Sequence, residues 1–213
     1  MRYPQARILV FCKPPIPGQA KTRLIPALGA HGAADLHAEL PRATLTRAVR
    51  SDLASVELWA SAAPEHEFFQ CLRADFGCPL LTQCGDDLGT RMAQALDTTL
   101  ASTEFAVLIG TDCPLLDENY LAQAFAALAN GADAVLGPAE DGGYVLIGLK
   151  RFDPAVFADI PWGGAEVLAR TRARLAGLGW SVRELAMLWD VDRAEDLARM
   201  ARSGSDPNST AKA

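Results

Sequence analysis

The sequence predicts an α/β protein in which a mostly parallel central sheet is covered by helices on both faces. Short apolar runs of strand length recur along the chain, and longer segments with helical periodicity separate them. Several of these runs are apolar on both faces, as strands of a parallel sheet are when helices cover each side. With 213 residues, half of them apolar, the chain is long enough to fill one core, so we expect a single domain over residues 1–202.

The expected core strands follow the chain in order. They cover residues 8–12, 56–60, 106–110 and 134–137. The first and third are apolar at nearly every position, which places them at the centre of the sheet. Two later runs, Tyr144–Leu149 and 181–185, lack the simple alternation of strand and helix, and we expect them to add an antiparallel element at the sheet edge.

Helical periodicity fills the intervals between the strands. The predicted helices cover roughly residues 30–50, 64–75, 88–101, 117–129, 164–177 and 193–202. Pro41 is expected to break or kink the first of these, because proline lacks the N–H donor and its ring clashes with the preceding turn. Residues 203–213 have almost nothing to bury, so they are predicted to form a disordered tail.

Composition excludes several classes of function. The 26 acidic residues outnumber the 20 basic ones, which argues against a broad surface for nucleic acid and requires a local basic pocket for any anionic ligand. No apolar stretch is long enough to span a bilayer and no secretory signal is visible, so a cytoplasmic protein is expected. The five cysteines lack a Cys-x-x-Cys pair and the three histidines lack zinc-like spacing, which predicts free thiols.

A stiff loop directly follows the first strand and carries Lys13, Lys21 and Arg23. In open α/β sheets ligands bind beyond the carboxyl ends of the strands. Glycine at such a position lets backbone amides approach a phosphate, and Lys and Arg supply charge. We therefore predict phosphate binding by these three cations. The alternative is a solvated loop whose cations pair with nearby acids.

The same loop is not a Walker A motif, because Ala20 stands where that motif needs glycine before Lys-Thr. The dinucleotide fingerprint G-x-G-x-x-G is also absent. Within the loop, Pro15, Gly18 and Thr22 are the further residues expected to contact a nucleotide. A P-loop NTPase and a nicotinamide-dependent enzyme are thereby disfavoured.

Carboxylates occupy two further places where strands end. Asp112 follows the buried run 105–109, and Mg²⁺ or Mn²⁺ needs only one or two such protein ligands beside water and phosphates. Asp190 and Asp192 lie on one side of an extended segment and are expected to face the same cation. For Asp192 the competing interpretation is a helix cap, since Asp-x-x-Glu has the form of a capping box.

Two glycine-bearing turns are candidate walls for a ligand. Asp141 precedes Gly142 and Gly143, where missing side chains leave room against the main chain, although a tight turn closed by Asp141 would use the same residues. Gly85 and Arg91 flank a predicted helix start, where free N–H groups and a guanidinium suit an anion. Helix capping by the aspartates between them is the alternative.

Two other residue types near these motifs have a structural as well as a functional interpretation. Trp162 is placed to stack on a base or a sugar, although tryptophan is more often part of a core. Cys12 and Cys113 lie near the predicted site, but no histidine in these motifs is placed to activate a thiol. A thiol nucleophile is therefore disfavoured.

Taken together, six ordered motifs resemble the DUF2064 family of bacterial proteins. They are K-x-P-x-P-G-x-x-K-T-R-L from Lys13, G-D-x-L-G-x-R-M from Gly85, G-x-D-x-P from Gly110, D-G-G-Y from Asp141, P-W from Pro161 and D-V-D from Asp190. The resemblance extends from the first strand to the last helix. It implies a nucleotide-diphospho-sugar transferase superfamily member with a GT-A-like Rossmann-type sandwich, similar to phospholactate guanylyltransferase.

The resemblance also implies roles for the motif residues. The first loop would hold the nucleotide phosphates, Asp112 would take the place of the superfamily's metal-binding aspartate, and the Asp190 and Asp192 segment would complete the metal site. Lys21 and Arg23 would then stabilise charge that grows in the transition state. Asp141 is the candidate base for the acceptor.

The expected function is that of a metal-dependent transferase that uses a nucleotide-diphospho-sugar donor. Its expected cofactor is Mg²⁺ or Mn²⁺, and its expected partners are a nucleotide or nucleotide sugar and a small-molecule acceptor. One alternative is a nucleotidyltransferase that joins an NTP to a small phosphorylated or carboxylated acceptor. The other is a nucleotide-binding protein without catalysis.

Overall fold

A computed structural model describes residues 1–61 and 63–203 of the chain. The strands are β1 (Ala6–Cys12), β2 (Ser55–Ala60), β3 (Leu80–Thr82), β4 (Phe105–Ile109), β5 (Ala134–Pro138), β6 (Tyr144–Leu149) and β7 (Val182–Glu184). The helices are α1 (Ile25–Arg50), α2 (Glu67–Phe76), α3 (Leu88–Leu100), α4 (Glu118–Ala129), α5 (Val167–Gly177) and α6 (Ala194–Ser203). Short 3-10 turns cover Thr22–Leu24 and Pro154–Val156.

These strands form one sheet with the order β3-β2-β1-β4-β6-β5-β7. All neighbouring pairs are parallel except those that β6 makes with β4 and β5, so a mostly parallel sheet is confirmed. An antiparallel strand was expected at the sheet edge, and this position is wrong. The antiparallel strand β6 lies inside the sheet, and the edge is formed by β7, which is parallel to β5. The reason is the short turn between β5 and β6, which allows only a hairpin and therefore an antiparallel pair.

Helices cover both faces of the sheet, as predicted. Along β1, Ile8 and Val10 point into the core that α1, α2 and α4 cover, whereas Leu9 and Phe11 point into the core beneath α3 and α5. This alternation follows from the two-residue period of a strand. The sheet centre is therefore buried from both sides.

Helix α1 is continuous through Pro41, so the predicted break there is wrong. The non-helical backbone lies instead at Gly29, with φ 72° and ψ 167°. Proline removes only the N–H that would bond the carbonyl of His37, at a cost of about 3 kcal/mol. The buried face of this long helix, including Leu45 and Ala48, packs against the sheet and offsets that cost.

Strand β3 was not predicted, because three residues are too few to show alternation. The predicted tail lies outside the described residues, apart from Ser203 at the end of α6. All five cysteines are free thiols, as expected. In the described part of the chain, no helix is both long and apolar enough to cross a bilayer.

Candidate functional site

A polar cavity of about 710 Å³ lies beyond the carboxyl ends of β1, β2 and β4. Four cations and four carboxylates line it: Lys13, Lys21, Arg23, Arg91, Asp112, Asp141, Asp190 and Asp192. Parallel strands place their carboxyl ends at one edge of the sheet, and the loops that follow them converge there. The residues predicted from separate motifs are thus neighbours in space.

Some predicted contact residues lie elsewhere. Thr22 lines the polar cavity with the charged residues, whereas Pro15, Gly18, Gly85 and Gly142 are outside its lining. Gly143 lines an adjoining cavity. Nucleotide contacts by these five glycine and proline positions stay predictions.

Lys21 and Asp112 form the centre of the polar cavity. The Lys21 side chain is only 5% exposed, and its Nζ lies 2.9 Å from Asp112 Oδ2 and donates to the carbonyl of Val191 at 2.7 Å. The backbone N–H of Val191 donates in turn to the carbonyl of Asp112 at 2.9 Å. These bonds join the first loop, the end of β4 and the segment that precedes α6. Lys21 itself adopts left-handed backbone angles (φ 48°, ψ 45°), which are uncommon for a residue other than glycine.

His37, on α1, is a site residue that sequence reasoning missed. Its Nε2 lies 3.2 Å from the carbonyl oxygen of Lys13, which can only accept, so Nε2 carries the proton. Its Nδ1 faces Asp112 Oδ1 at 4.0 Å, and neither of these buried atoms has a hydrogen-bond partner among the described residues. Burial, more than any other cause, lowers the pKa of His37 and keeps the ring neutral.

A sequence signal for His37 did exist. The residue lies in the buried stripe of α1, with Ala33, Ala34 and Thr44 at helical spacing. A polar ring within an otherwise small and apolar stripe is unusual and needs a partner. Zinc-like spacing does not reveal this signal, because it depends on the burial of one histidine and not on a pair.

Asp190 is the most perturbed carboxylate of the cavity. Burial raises its pKa to about 7, and the negative charges of Asp112 and Asp141 add to the effect. Lys21 opposes the shift without cancelling it. Carboxylates that raise one another's pKa in a cavity are typical of functional sites.

Asp192 does not cap α6 in the expected way. Its carboxylate forms a close ion pair with Arg23. The backbone N–H groups of Asp192 and Arg193 donate instead to Asp196 Oδ2, at 3.0 and 2.7 Å. Asp192 is therefore oriented toward the first loop and the cavity.

Each of the two glycine-bearing turns is closed by local hydrogen bonds. The N–H of Gly143 donates to Asp141 Oδ1 at 2.8 Å, although Asp141 still lines the cavity. Gly142 has φ 89°, and a Cβ atom there would overlap the backbone of Ala165, so this glycine is needed for close packing of two loops. The missing side chain at Gly142 thus serves the fold.

The turn before α3 is closed by its own side chains. Asp87 caps the helix by accepting from the N–H of Thr90 at 2.7 Å. Arg91 Nε donates to the carbonyl of Gly85 at 2.8 Å, and the side chain also lines the polar cavity. One guanidinium thus fixes the turn and adds positive charge to the site.

The residues present fit a divalent cation that takes few protein ligands. In the part of the chain that the structure describes, no three His, Cys, Asp or Glu residues are arranged to hold a metal. Mg²⁺ and Mn²⁺ commonly bind one or two carboxylates and complete their shell with water and phosphate oxygens. Asp112 Oδ1, buried without a hydrogen bond, and the crowded Asp190 are suitable ligands.

The two thiols near the cavity are not suited to nucleophilic attack. Burial is the main cause that raises the pKa of Cys12 far above its usual range and that of Cys113 to about 12. Both therefore remain protonated at neutral pH. A thiolate is the reactive form, so covalent catalysis by either cysteine is disfavoured.

Comparison with known proteins places the chain in a family. Residues 44–164 match the family described as "Uncharacterized protein conserved in bacteria (DUF2064)". No curated protein matches the sequence. The matched segment exceeds half of the chain and includes Arg91, Asp112 and Asp141, whereas the loop after β1 and residues 190–192 lie outside it.

Solved structures share the fold over nearly the whole chain. A candidate nucleotide-diphospho-sugar transferase from Desulfovibrio desulfuricans is 30% identical, with a TM-score of 0.88, and the match covers 96% of this chain and 90% of that one. CMP:2-keto-3-deoxy-manno-octonic acid synthetase with CTP is 11% identical (TM-score 0.61; 94% and 98% covered). Glucosyl-3-phosphoglycerate synthase from Mycobacterium tuberculosis, in complex with Mn²⁺, UDP and glucosyl-3-phosphoglycerate, is 11% identical (TM-score 0.55; 93% and 76% covered). The predicted GT-A-like, Rossmann-type sandwich is confirmed.

Proposed function

Since the chain belongs to the DUF2064 family, we propose that it is a transferase that uses a nucleotide-diphospho-sugar donor together with a divalent cation. The observation that carries this proposal is the Asp112 carboxylate, which lines the polar cavity at the end of β4 with one oxygen paired to Lys21 and the other buried without a hydrogen-bond partner among the described residues. The carboxylate suits the divalent cation that accompanies a diphosphate, and the neighbouring ammonium suits the phosphate oxygens. The resemblance to a candidate nucleotide-diphospho-sugar transferase supports the same assignment.

The cations of the polar cavity suit the donor's phosphates. Lys13, Lys21, Arg23 and Arg91 line a single space, whereas the chain as a whole carries a net charge of −6. Such local concentration against the overall charge favours an anionic ligand. Arginine can bind phosphate oxygens in a bidentate way, and a lysine adds a compact positive charge.

A divalent cation bound by Asp112 and Asp190 would neutralise charge on the departing diphosphate. The chain's own groups would do the remaining work. Lys21, fixed by two contacts, presents a pre-oriented ammonium, and such fixed charges need no rearrangement during reaction. Arg23 is exposed and paired with Asp192, so it is able to exchange this partner for a phosphate.

The proposed transfer step replaces one bond at the sugar's anomeric carbon by another. An acceptor hydroxyl oxygen forms a bond to the sugar's anomeric carbon, and the bond from that carbon to the diphosphate oxygen breaks with its electron pair leaving on the nucleotide. The hydroxyl proton passes to a carboxylate. Asp141 lies in the wall of the polar cavity and is the proposed acceptor of that proton.

The test is ligand-dependent stabilisation of the full-length protein. Melting temperatures are measured with UDP-, GDP-, ADP- and CDP-sugars and with the matching NTPs, with Mn²⁺, Mg²⁺ or a chelator. Binding to the native state raises its stability by mass action. We expect one sugar nucleotide to stabilise the protein only with metal, and Asp112→Asn to abolish the effect.

The matched control is Asp97→Asn, which removes one carboxylate from an exposed position on α3. This variant should keep the metal-dependent response. Stabilisation without metal dependence, or equal stabilisation of the Asp112 variant, would contradict the proposed role of Asp112. No stabilisation by any sugar nucleotide or NTP would contradict the transferase assignment.

Nucleotidyl transfer is the second candidate, supported by the likeness to a CMP-sugar synthetase solved with CTP. The two reactions use the same cavity but release different products. Sugar transfer releases a nucleoside diphosphate, whereas nucleotidyl transfer from an NTP releases pyrophosphate. Preferential stabilisation by a bare NTP, followed by detection of pyrophosphate with a phosphorylated acceptor, would favour the second candidate.

A further inference from the structure

A second cavity, of about 230 Å³, adjoins the polar one, and the two share Asp141, Gly163 and Asp190 as a common wall. Its other walls are largely apolar. They include Phe11, Leu88, Met92, Leu108, Tyr144 and Trp162. A phosphate group would lose its bonds to water in such surroundings without gaining others, so the cavity suits a ligand of different chemistry.

The aromatic wall of this cavity is held in place by packing. The Trp162 ring stacks on Phe157 with ring centroids 6.3 Å apart. Its indole also lies so close over Gly89 that a Cβ atom there would overlap it. The cavity is therefore pre-formed, which lowers the entropic cost of binding.

Leu88 gives the cavity an exposed apolar entrance. This side chain is 44% exposed at the start of α3, and it lines the cavity. An exposed leucine alone is unremarkable, but here it continues the apolar wall formed by Trp162 and Met92. A ligand that covered Leu88 would remove apolar surface from water.

Charge at the common wall restricts the ligand further. Of the described residues that line the cavity, none is Lys, Arg or His, and the ionisable carboxylates are Asp141 and Asp190. A carboxylate or phosphate group brought here would meet the Asp141 carboxylate in a partly desolvated space, and it would favour the protonated form of Asp190. A hydroxyl group, by contrast, would donate a hydrogen bond to either aspartate.

A nucleobase fits this cavity less well. Its edges carry several N–H and C=O groups, and those that face the apolar wall rather than Asp141 or Asp190 would lose their bonds to water, at a cost of about 1–3 kcal/mol per group. The volume, at roughly 30 Å³ for each water-sized group, holds about eight such groups. That is the size of one ring with a short substituent.

On the basis of the proposed function, we propose that the acceptor is a neutral alcohol with an apolar body of single-ring size, which fills the cavity beside Trp162 and Leu88. Its hydroxyl would lie at the common wall, next to the donor in the polar cavity. That oxygen forms the new bond to the anomeric carbon, its proton passes to Asp141, and the nucleoside diphosphate departs. A phosphorylated or carboxylated acceptor is thereby disfavoured.

The test compares benzyl alcohol with benzoate, which has the same ring but replaces the neutral hydroxyl by an anion. Binding to the full-length protein is followed by saturation-transfer NMR and titration at neutral pH, in chelator and without nucleotide. We expect benzyl alcohol to bind in the millimolar range and benzoate at least about tenfold more weakly. Equal or tighter binding of benzoate would overturn the proposal.

Leu88→Gln is the site variant, because an exposed position tolerates a polar side chain without loss of the fold. Leu115→Gln, at another exposed leucine outside both cavities, is its control. Benzyl alcohol affinity should fall at least about threefold in the first variant and stay unchanged in the second. Equal affinities in the two variants would overturn the proposed position.

Competition with nucleosides tests whether the cavity binds a base. Displacement of benzyl alcohol by uridine, cytidine or guanosine would assign the cavity to a base and overturn the proposal. Failure of every sugar nucleotide to bind would instead contradict the proposed function, since that measurement depends on Asp112 and Lys21. The two failures are therefore distinguishable.

Discussion

The ammonium of Lys21 lies 2.9 Å from Asp112 Oδ2, so the carboxylate predicted to bind metal already has a cationic partner within the protein. The other oxygen, Oδ1, faces His37 Nδ1 across 4.0 Å. Asp112 is 43% exposed whereas Lys21 is almost fully buried. The lysine is thus part of the fixed structure, and the carboxylate is the partner that a ligand can reach.

Replacement of Lys21 by methionine should weaken nucleotide binding. The variant keeps the length of the side chain but loses a fixed charge beside the diphosphate. Because hydrogen bonds to charged groups contribute about 1.5–3 kcal/mol, we expect the Kd of the stabilising nucleotide to rise roughly tenfold to a hundredfold in calorimetric titration. Lys150→Met, at an exposed position away from the cavity, should leave it unchanged. Equal affinities of the two variants would refute the role of Lys21.

Much of the fold could be predicted because parallel strands leave a local signature. The runs at β1 and β4 are apolar on both faces, and the structure buries them at the centre. The place of β6 could not be read in this way, because strand order depends on the short turn after β5 rather than on periodicity. The predicted break at Pro41 failed for a related reason. Local propensity opposes a helix at this position, but packing along the whole of α1 outweighs it.

The candidate site was only partly predictable. Asp112, Lys21 and Asp190 were found because each follows a strand or lies in a distinct motif, and strand ends converge in this class of fold. The ion pair between Lys21 and Asp112 was not predicted, since it joins residues distant in sequence. The apolar cavity beside Trp162 was predicted only in part: Trp162 and the turn at Gly143 were expected to face a ligand, but the other walls include β1, β4, α3 and α5, which are separate segments of the chain.

Asp190→Asn should stabilise the metal-free protein more at high pH than at low pH. The folded-state pKa of about 7 lies above the ordinary value of 3.8, so the folded state holds a proton that the unfolded chain loses as pH rises through this interval. The native protein therefore loses stability between about pH 4 and 7, and asparagine avoids this loss. Urea unfolding in chelator at pH 5 and pH 8 measures the difference.

A different pH dependence would contradict the protonation of Asp190 in the folded state. If the variant and the native protein change stability in parallel between the two pH values, Asp190 is not protonated in the folded state. Asp97→Asn, on the exposed face of α3, should follow the native protein at both pH values. Added Mn²⁺ should reverse the advantage of Asp190→Asn, because the metal stabilises the charged carboxylate.

His37→Gln should reduce the acid sensitivity of the fold. Burial is the main cause that lowers the pKa of His37; Lys21 and Lys13 lower it further, while Asp112 opposes them. A lowered folded-state pKa contributes stability above the ordinary value of 6.5, and this stability is lost as pH falls. Glutamine cannot titrate and still offers an N–H to the Lys13 carbonyl.

The measurement for His37 is the free energy of unfolding at pH 7.5 and pH 5.5. We expect the native protein to lose more stability across this interval than His37→Gln. His31→Gln, at an exposed position of the same helix, serves as the control and should behave like the native protein. An equal loss of unfolding free energy in the native protein and in His37→Gln would show that burial does not hinder protonation of the His37 ring.

Gly89→Ala should destabilise the protein although alanine is the better helix former. A Cβ atom at position 89 would overlap the indole of Trp162, so the ring must move and the apolar cavity must change shape. Overpacking of this kind costs about 1–3 kcal/mol. Gly177→Ala in α5 is the matched control, because its Cβ would meet no atom within 4 Å, and it should be neutral or stabilising by up to about 1 kcal/mol. Urea unfolding measures both variants, and tryptophan emission should shift only in Gly89→Ala; equal effects of the two substitutions would mean that Trp162 is not held against α3.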